Sequence, residues 1–344
     1  MSLFGKGFGE CVVIHVGDGH YVIVDSFINN ATKNPIAEDY LNSLGVSIDS
    51  IDAIVSTHWH SDHVAGLYRL LKNANGAKFI TYPIISEEKF NEFIEFGKMN
   101  TEQSSTNEFA SILQMIVDDE RQPVFASHNK LIYNRNSTDT SFGKSVMIFA
   151  LSPQDEDLKD YLLNLNIPSE KTMSYSFPDD NDISIVLWVQ VGDNVILLGG
   201  DLEQKEKNSV GWKAVIANHT LPGKAEVFKV PHHGSQNAHN ADVWTKLLVD
   251  KPISIMTVFN RSAGLPKDSD KDRITQLSSR TFIAGADAKK VKDFRKLENK
   301  FNFRLASVPQ NVGVIRLRKN ITSTKSDWQV ETFGPTEELS VMTN

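Results

Sequence analysis

The stretch that most constrains this 344-residue chain is Ser56-Thr57-His58-Trp59-His60-Ser61-Asp62-His63, which directly follows the strand-like run Ile51–Val55. It places three imidazoles and one carboxylate within six residues at the mouth of a strand. Imidazole nitrogen and carboxylate oxygen are both ligands for divalent metals, and clustered histidines without a cation repel one another once protonated. Alternate residues of an extended segment share a side, so His58 and His60 can grip one ion. Asp62 and His63, where the chain turns into a helix, can face a second. The competing reading, a polar loop that only caps a helix with Asp62 at its start, leaves the three histidines unexplained.

Two later segments repeat the pattern of a polar ligand set directly after a strand. Gly199-Gly200-Asp201 follows Val195–Leu198, and Pro231-His232-His233-Gly234-Ser235 follows Val227–Val230. In layered sheet proteins the C-terminal ends of strands converge on one crevice, so segments far apart in sequence can share a site. Such nitrogen- and oxygen-rich sets hold paired ions about 3.5–4 Å apart. Of His232 and His233, one is expected to bind metal and its neighbour to contact substrate. The preference is slight for His232 as ligand, with His233 in the catalytic role, and the choice stays open. Ser235 and Asn260 lie near the expected mouth, where they can hydrogen-bond a substrate or simply form turns.

At this point the sequence resembles the metallo-β-lactamase-fold hydrolases. His58-x-His60-x-Asp62-His63 matches that superfamily's signature in full. Asp25, after Val22-Ile23-Val24, is similar to its first motif, Asp201 to its bridging aspartate, and His232-His233 to its final histidine motif. The segments Asn181–Leu187, Leu198–Asp201 and Lys229–Ser235 are most similar to the nuclease-like domain of ComEC competence proteins. The resemblance implies an αββα sandwich of two mixed β-sheets packed face to face with helices outside. It implies two divalent ions (zinc first, manganese or iron as alternatives) held by His58, His60, Asp62, His63, Asp201 and His232. It also implies a metal-bridging hydroxide as nucleophile, with Asp62 steering it or passing a proton. Asp25 would orient a ligand histidine from behind, or merely cap the following turn. The chain departs from the usual pattern in lacking a further histidine motif between His63 and Asp201. The one histidine there is His128, in the polar context Ala126-Ser127-His128-Asn129, where a solvated side chain is the ordinary expectation.

The rest of the chain reads as one domain over 1–344 built from two blocks of hairpins, strands and helices. The opening is a hairpin, Cys11–Val16 and Tyr21–Val24 around Gly17-Asp18-Gly19. A second hairpin joins Ile183–Val191 to Val195–Leu198. Residues 84–145 are polar with helical periodicity and read as a helical insertion or cap. Helices are expected from His63 through Leu71, around Glu203–Asn218, at Asp242–Leu248 and at Lys289–Lys300, and late strands at Ile253–Phe259, Val312–Leu317 and Trp328–Phe333. With 36 Lys and Arg against 43 Asp and Glu the net charge is −7, which argues against a general nucleic-acid coat. Residues 288–319 run the other way, with ten Lys or Arg against Asp293 and Glu298. That run is either a solvated face or a stripe for a polyanion. Cys11 is the single cysteine, so neither an intrachain disulfide nor a cysteine-based zinc site is available. No apolar run is long enough to span a membrane and the first residues do not read as a signal peptide, so the expected location is cytoplasmic.

The expected function is a metal-dependent hydrolase, with phosphodiesterase or nuclease activity on nucleic acid or another phosphodiester. A small-molecule hydrolase of phosphoester, lactone or amide bonds with a capped site is the first alternative. A non-catalytic, metal-stabilised binding module is the second.

Overall fold

Short apolar runs separated by Gly, Asp and Asn turns suit strands buried on both faces, and the chain contains many of them. A computed structural model describes residues 1–83, 104–164, 180–261, 264–286, 311–323 and 326–340. The first strands are β1 (Ser2–Gly5), β2 (Glu10–Gly17), β3 (His20–Val24), β4 (Ile51–Val55), β5 (Lys78–Thr81) and β6 (Val124–Phe125). There follow β7 (Lys130–Arg135), β8 (Val146–Ala150), β9 (Leu187–Val191), β10 (Asn194–Leu198), β11 (Ala225–Lys229), β12 (Leu248–Thr257) and β13 (Arg280–Ala284). The tail adds β14 (Gly313–Arg318), β15 (Gln329–Phe333) and β16 (Thr336–Leu339).

Among the described residues these strands form two mixed sheets, ordered β15-β14-β1-β2-β3-β4-β5-β6 and β16-β13-β12-β11-β10-β9-β8-β7. The tail therefore splits, β14 and β15 extending the first sheet and β16 closing the second. Val12, Ile14, Val22, Val55, Ile148, Leu187, Leu198 and Ile255 meet between the sheets. On the outer face of the first sheet lie helices α1 (Ile36–Ser43), α2 (Ser61–Val64), α3 (Leu67–Asn73) and α4 (Ser104–Asp118). The second sheet's outer face is covered through Trp212, Val215, Val243, Trp244 and Ile274. This is the helix–sheet–sheet–helix layering expected from the sequence.

Parallel pairing sets the position of the site. Strands β3, β4 and β5 run parallel in one sheet and β10, β11, β12 and β13 in the other. Their C-terminal ends open at one edge of the sandwich, where α/β sheets place ligands. Asp25, the His58–His63 segment, Asp201, the His232-His233 pair and Thr257 all lie at those ends.

Several local expectations need correction. Residues 84–145 are not a helical insertion throughout, since β6 and β7 are edge strands, one in each sheet. Edge strands tolerate the polar residues that obscured them, as in Lys130-Leu131-Ile132-Tyr133-Asn134-Arg135. Residues 84–103 lie outside the described residues, as does most of the basic run, including the helix expected at Lys289–Lys300. The helix expected from His63 is two helices, broken at Gly66 (φ 85°), where a Cβ would come within 2.4 Å of Ile28 Cδ1. The helix expected around Glu203 begins only at Gly211, as helix α6 (Gly211–Asn218), after helix α5 (Asp155–Asn164). The second hairpin starts at Leu187, because Asp180–Ile183 forms a 3-10 turn. Among the described residues no helix is long and apolar enough to cross a membrane.

Leu187 is fully buried between the sheets next to the hairpin that leads to Asp201. Leu187→Ala should cost about 2–5 kcal/mol of unfolding free energy, measured by urea denaturation, through lost burial and the cavity left behind.

Candidate metal centre

The signature segment is held open as a loop by its neighbours. The backbone N–H of Ser56 donates to Ile80 O, and that of Ile185 donates to Thr57 O. Residues after Thr57 are thereby kept extended until α2 begins. That single turn brings Asp62 and His63 around to the face that His58 occupies. His58, Asp62, His63, Asp201 and His233 are all buried, each at most 5% exposed.

Their ring nitrogens are oriented by a buried carboxylate. Asp25 takes φ 59°, a left-handed conformation that aspartate tolerates better than most residues. One of its oxygens accepts from the Thr57 backbone N–H at 2.8 Å. The other accepts from His63 Nδ1 at 2.8 Å and from the Thr57 hydroxyl at 2.7 Å. Because that hydroxyl donates to Asp25, it accepts from His58 Nδ1, 3.0 Å away. Both imidazoles therefore carry hydrogen on Nδ1 towards the carboxylate and turn Nε2 into the cleft. Asp25 stands in the orienting position, with Thr57 as an intermediary that the sequence analysis did not single out.

In the cleft, His63 Nε2 lies 3.4 Å from Asp201 Oδ2 and 3.5 Å from Asp62 Oδ2. His233 Nε2 lies 3.2 Å from Asp62 Oδ2 and 3.6 Å from Asp201 Oδ2, and His58 Nε2 is 4.0 Å from Asp201 Oδ2. Two overlapping triads in the cleft have ligand atoms mutually within 4.8 Å, His58, His63 and Asp201, and Asp62, His63 and His233, while Glu10, Asp25 and His63 form a third group behind them. Among the described residues His58 Nε2 is buried without a hydrogen-bond partner, and His63 Nε2 meets only the carboxylates of Asp62 and Asp201. An unsatisfied buried polar atom costs roughly 1–3 kcal/mol. The His58 nitrogen, converging with two further imidazoles on two carboxylates, suits a divalent cation, so the donor set fits the metals expected from the sequence.

Electrostatics in the metal-free protein follow from crowding. Burial, together with His63 and His60, pushes the His58 pKa well below its ordinary value. Burial would lower His63 as well, but Asp201, Asp62 and Asp25 outweigh it and raise its pKa well above the ordinary value. Burial acts to raise Asp62, yet His63 and His233 overcome it and bring the carboxyl down to about 2. Asp201 is also held far down, against burial, by His63 and Lys229.

Glycine makes room for Asp201. Gly200 has φ 53°, and a Cβ there would come within 2.5 Å of Ser184 Oγ. That same hydroxyl accepts from the Asp201 backbone N–H at 2.9 Å.

Of the His232-His233 pair, the structure brings the second residue into the cluster. Both take left-handed backbone, φ 48° and 52°, followed by Gly234 at φ 84°. This turn sends His233 inwards, while His232 directs Nδ1 to Glu203 Oε1, 3.1 Å away and outside both triads. The residue slightly preferred from the sequence, His232, thus lies outside the cluster. His60 is half-buried with its ring edge-on to His58, centroids 4.8 Å apart, and belongs to neither triad. Ser235 continues the turn, its N–H donating to His232 O, and exposed Asn260 packs against Gly7. His128 lies apart, with Nδ1 3.9 Å from Asp155 Oδ1. Besides Thr57, sequence reasoning passed over Glu10, Lys229 and Thr257, which lie behind Asp201 and His233. Their only signal was a charged or polar residue at the end of an otherwise apolar strand.

Residues 4–126, about a third of the chain, match the family model of the metallo-beta-lactamase superfamily. No curated protein matches the sequence. Among solved structures, the chain is similar to a motif mutant of the metallo-beta-lactamase from Cronobacter sakazakii, at 12% identity and TM-score 0.35, covering 66% of this chain and 74% of that one. It is also similar to the Rm3 metallo-beta-lactamase, at 14% identity and TM-score 0.34, covering 71% and 81%. A third is a class B3 di-zinc metallo-beta-lactamase from an Alaskan soil metagenome, at 12% identity and TM-score 0.30, covering 59% and 62%. Likenesses this distant carry nothing about activity.

The raised His63 pKa has a consequence for metal uptake. A proton sits on His63 at neutral pH in the metal-free protein and must leave when Nε2 becomes a ligand. Binding of Zn²⁺ near pH 7 should therefore release about one proton per protein and weaken as pH falls. Calorimetry in buffers of different ionisation enthalpy measures this, and equal heats in all buffers would contradict it. Residues 4–126 thus carry a metallo-beta-lactamase superfamily match within a chain whose two sheets and outer helices have the layering of that fold.

Proposed function

We propose that this chain is a metal-dependent hydrolase of the metallo-β-lactamase superfamily that cleaves phosphodiester bonds, with nucleic acid as the substrate class. The observation that carries the hydrolase reading is the convergence of His58, His63 and His233 with Asp62 and Asp201 at one strand-end cleft. Divalent ions bound there would supply hydroxide near neutral pH and polarise the scissile phosphoryl group. His58, His63, His233, Asp62 and Asp201 would hold them, with His60 at the rim. Asp25 and Thr57 fix two of the rings so that Nε2 is presented as a lone pair. Asp62, anionic at all working pH values, is positioned to steer a nucleophilic water or accept its proton.

The phosphodiester preference rests on the segments Asn181–Leu187, Leu198–Asp201 and Lys229–Ser235, similar in sequence to the nuclease-like domain of ComEC proteins. Their arrangement supports the reading. Ser184 bridges to the Asp201 backbone and Ile185 braces Thr57, so Asn181–Leu187 packs against the cleft. The basic run of 288–319 offers a charge match to a polyanion.

Protein loaded with Zn²⁺ or Mn²⁺ should hydrolyse bis-p-nitrophenyl phosphate and cut labelled single- or double-stranded DNA or RNA. Asp62→Asn should lower kcat by about 10²–10⁴-fold with little change in the folded state, checked by circular dichroism. Turnover of lactone or thioester substrates without phosphodiester cleavage would replace this reading with a small-molecule hydrolase.

A further inference from the structure

Behind the cleft, beside Asp25, a second buried network joins the two sheets. Glu10 opens β2 in the first sheet, while Lys229 ends β11 and Thr257 ends β12 in the second. All three are buried, at 3%, 1% and 0% exposed. Lys229 Nζ lies 2.5 Å from Glu10 Oε1, donates to Gly200 O at 2.8 Å and stands 3.4 Å from Asp201 Oδ1. The Thr257 hydroxyl donates to Glu10 Oε2 at 2.7 Å, and Thr257 Oγ1 is 2.8 Å from His233 Nδ1.

Proton bookkeeping gives this network a direction. A carboxylate has no hydrogen to offer, so the Thr257 hydroxyl spends its single proton on Glu10. Its lone pair can then only accept, which places a hydrogen on His233 Nδ1 and leaves Nε2 as the ring's donor atom towards the cleft. On the other branch, the Lys229 ammonium engages Asp201 Oδ1, leaving Oδ2 as the oxygen that faces His58, His63 and His233. Glu10 thus governs two ligands at once, one through a hydroxyl and one through an ammonium. The arrangement parallels the neighbouring Asp25–Thr57–His58 relay, although its residues come from different strands.

We infer that Glu10, Thr257 and Lys229 are positioning residues that preset His233 and Asp201 for metal, Glu10–Thr257 fixing the imidazole tautomer and Lys229 fixing which Asp201 oxygen is offered. The inference rests on the reading of the cleft as a metal centre, and it assigns a task to three buried polar groups that have no other role there. Charged groups buried this deeply are costly unless paired, and an apolar set of similar volume would serve packing alone at least as well. Outer groups that hydrogen-bond ligand imidazoles and carboxylates commonly contribute about 10–100-fold in metal affinity.

The test compares Thr257→Val, which keeps shape and removes the hydroxyl, with Thr257→Ser, which keeps the hydroxyl. Zn²⁺ affinity is read by competition with a chromophoric chelator, and the ligand field by the absorption spectrum of the Co²⁺-loaded protein. Thr257→Val should weaken Zn²⁺ binding by about 10–100-fold and alter the Co²⁺ spectrum, while Thr257→Ser stays within about 3-fold of the parent. Lys229→Met leaves Glu10 as an unpaired buried charge, and if it fails to fold the threonine pair still decides. Parent-like affinity and spectrum in Thr257→Val, even with a lower melting temperature of the metal-free protein, would show a purely structural network and overturn the inference. Absence of Zn²⁺ binding by the parent itself would overturn both this inference and the metal-centre reading. Metal binding without phosphodiester cleavage would leave the inference standing and remove only the proposed substrate.

Discussion

The cleft depends on imidazole rings whose inner nitrogens are tied to buried carboxylates. Asp25 holds His63 directly and His58 through Thr57, and Glu10 holds His233 through Thr257. Each hydrogen bond consumes Nδ1 and turns Nε2 to the same small volume. Without those anchors the rings would be free to rotate and the Nε2 atoms would have no reason to converge. With them, His58 Nε2 is left buried without a hydrogen-bond partner among the described residues, a state that a bound cation would relieve.

The sandwich supplies the anchors with their positions. Asp25 and the signature loop follow adjacent parallel strands of one sheet, whereas Asp201, His233 and Thr257 follow adjacent parallel strands of the other. The apolar layer between the sheets fixes the distance across which Glu10 meets Lys229 and Thr257. Packing energy from residues such as Leu187 and Ile148 is therefore coupled to the cleft, since Glu10, Lys229 and Thr257 bridge the sheets at its floor. Left-handed backbone recurs at this edge, at Asp25, His232 and His233, and turns the chain sharply enough to aim a side chain inwards.

Much of the centre was legible in the sequence because its ligands sit at strand ends. A strand is recognisable as a short apolar run, and the polar residue directly after it is then conspicuous. This held for Asp25, His58, Asp62, His63 and Asp201. It failed for residues 124–135, where edge strands carry enough polar side chains to resemble loop or helix. It failed also for the helix after His63, because Gly66 looks tolerable within a helical pattern yet is needed in a left-handed conformation against Ile28.

The amino-acid sequence was enough to name the kinds of side chain at the cleft, the layered architecture and the order in which those segments arrive, since all three follow from local residue chemistry and hydrophobic patterning. It could not decide between His232 and His233, because two adjacent side chains differ only in the backbone turn that aims them. In the folded chain three successive left-handed residues ending at Gly234, packed against Ile274 and Met256, aim His233 inwards. Tertiary structure also revealed Glu10, Thr257 and Lys229 as one network. Their partners lie up to 247 positions apart, and a buried hydrogen bond across that separation leaves no trace in local pattern.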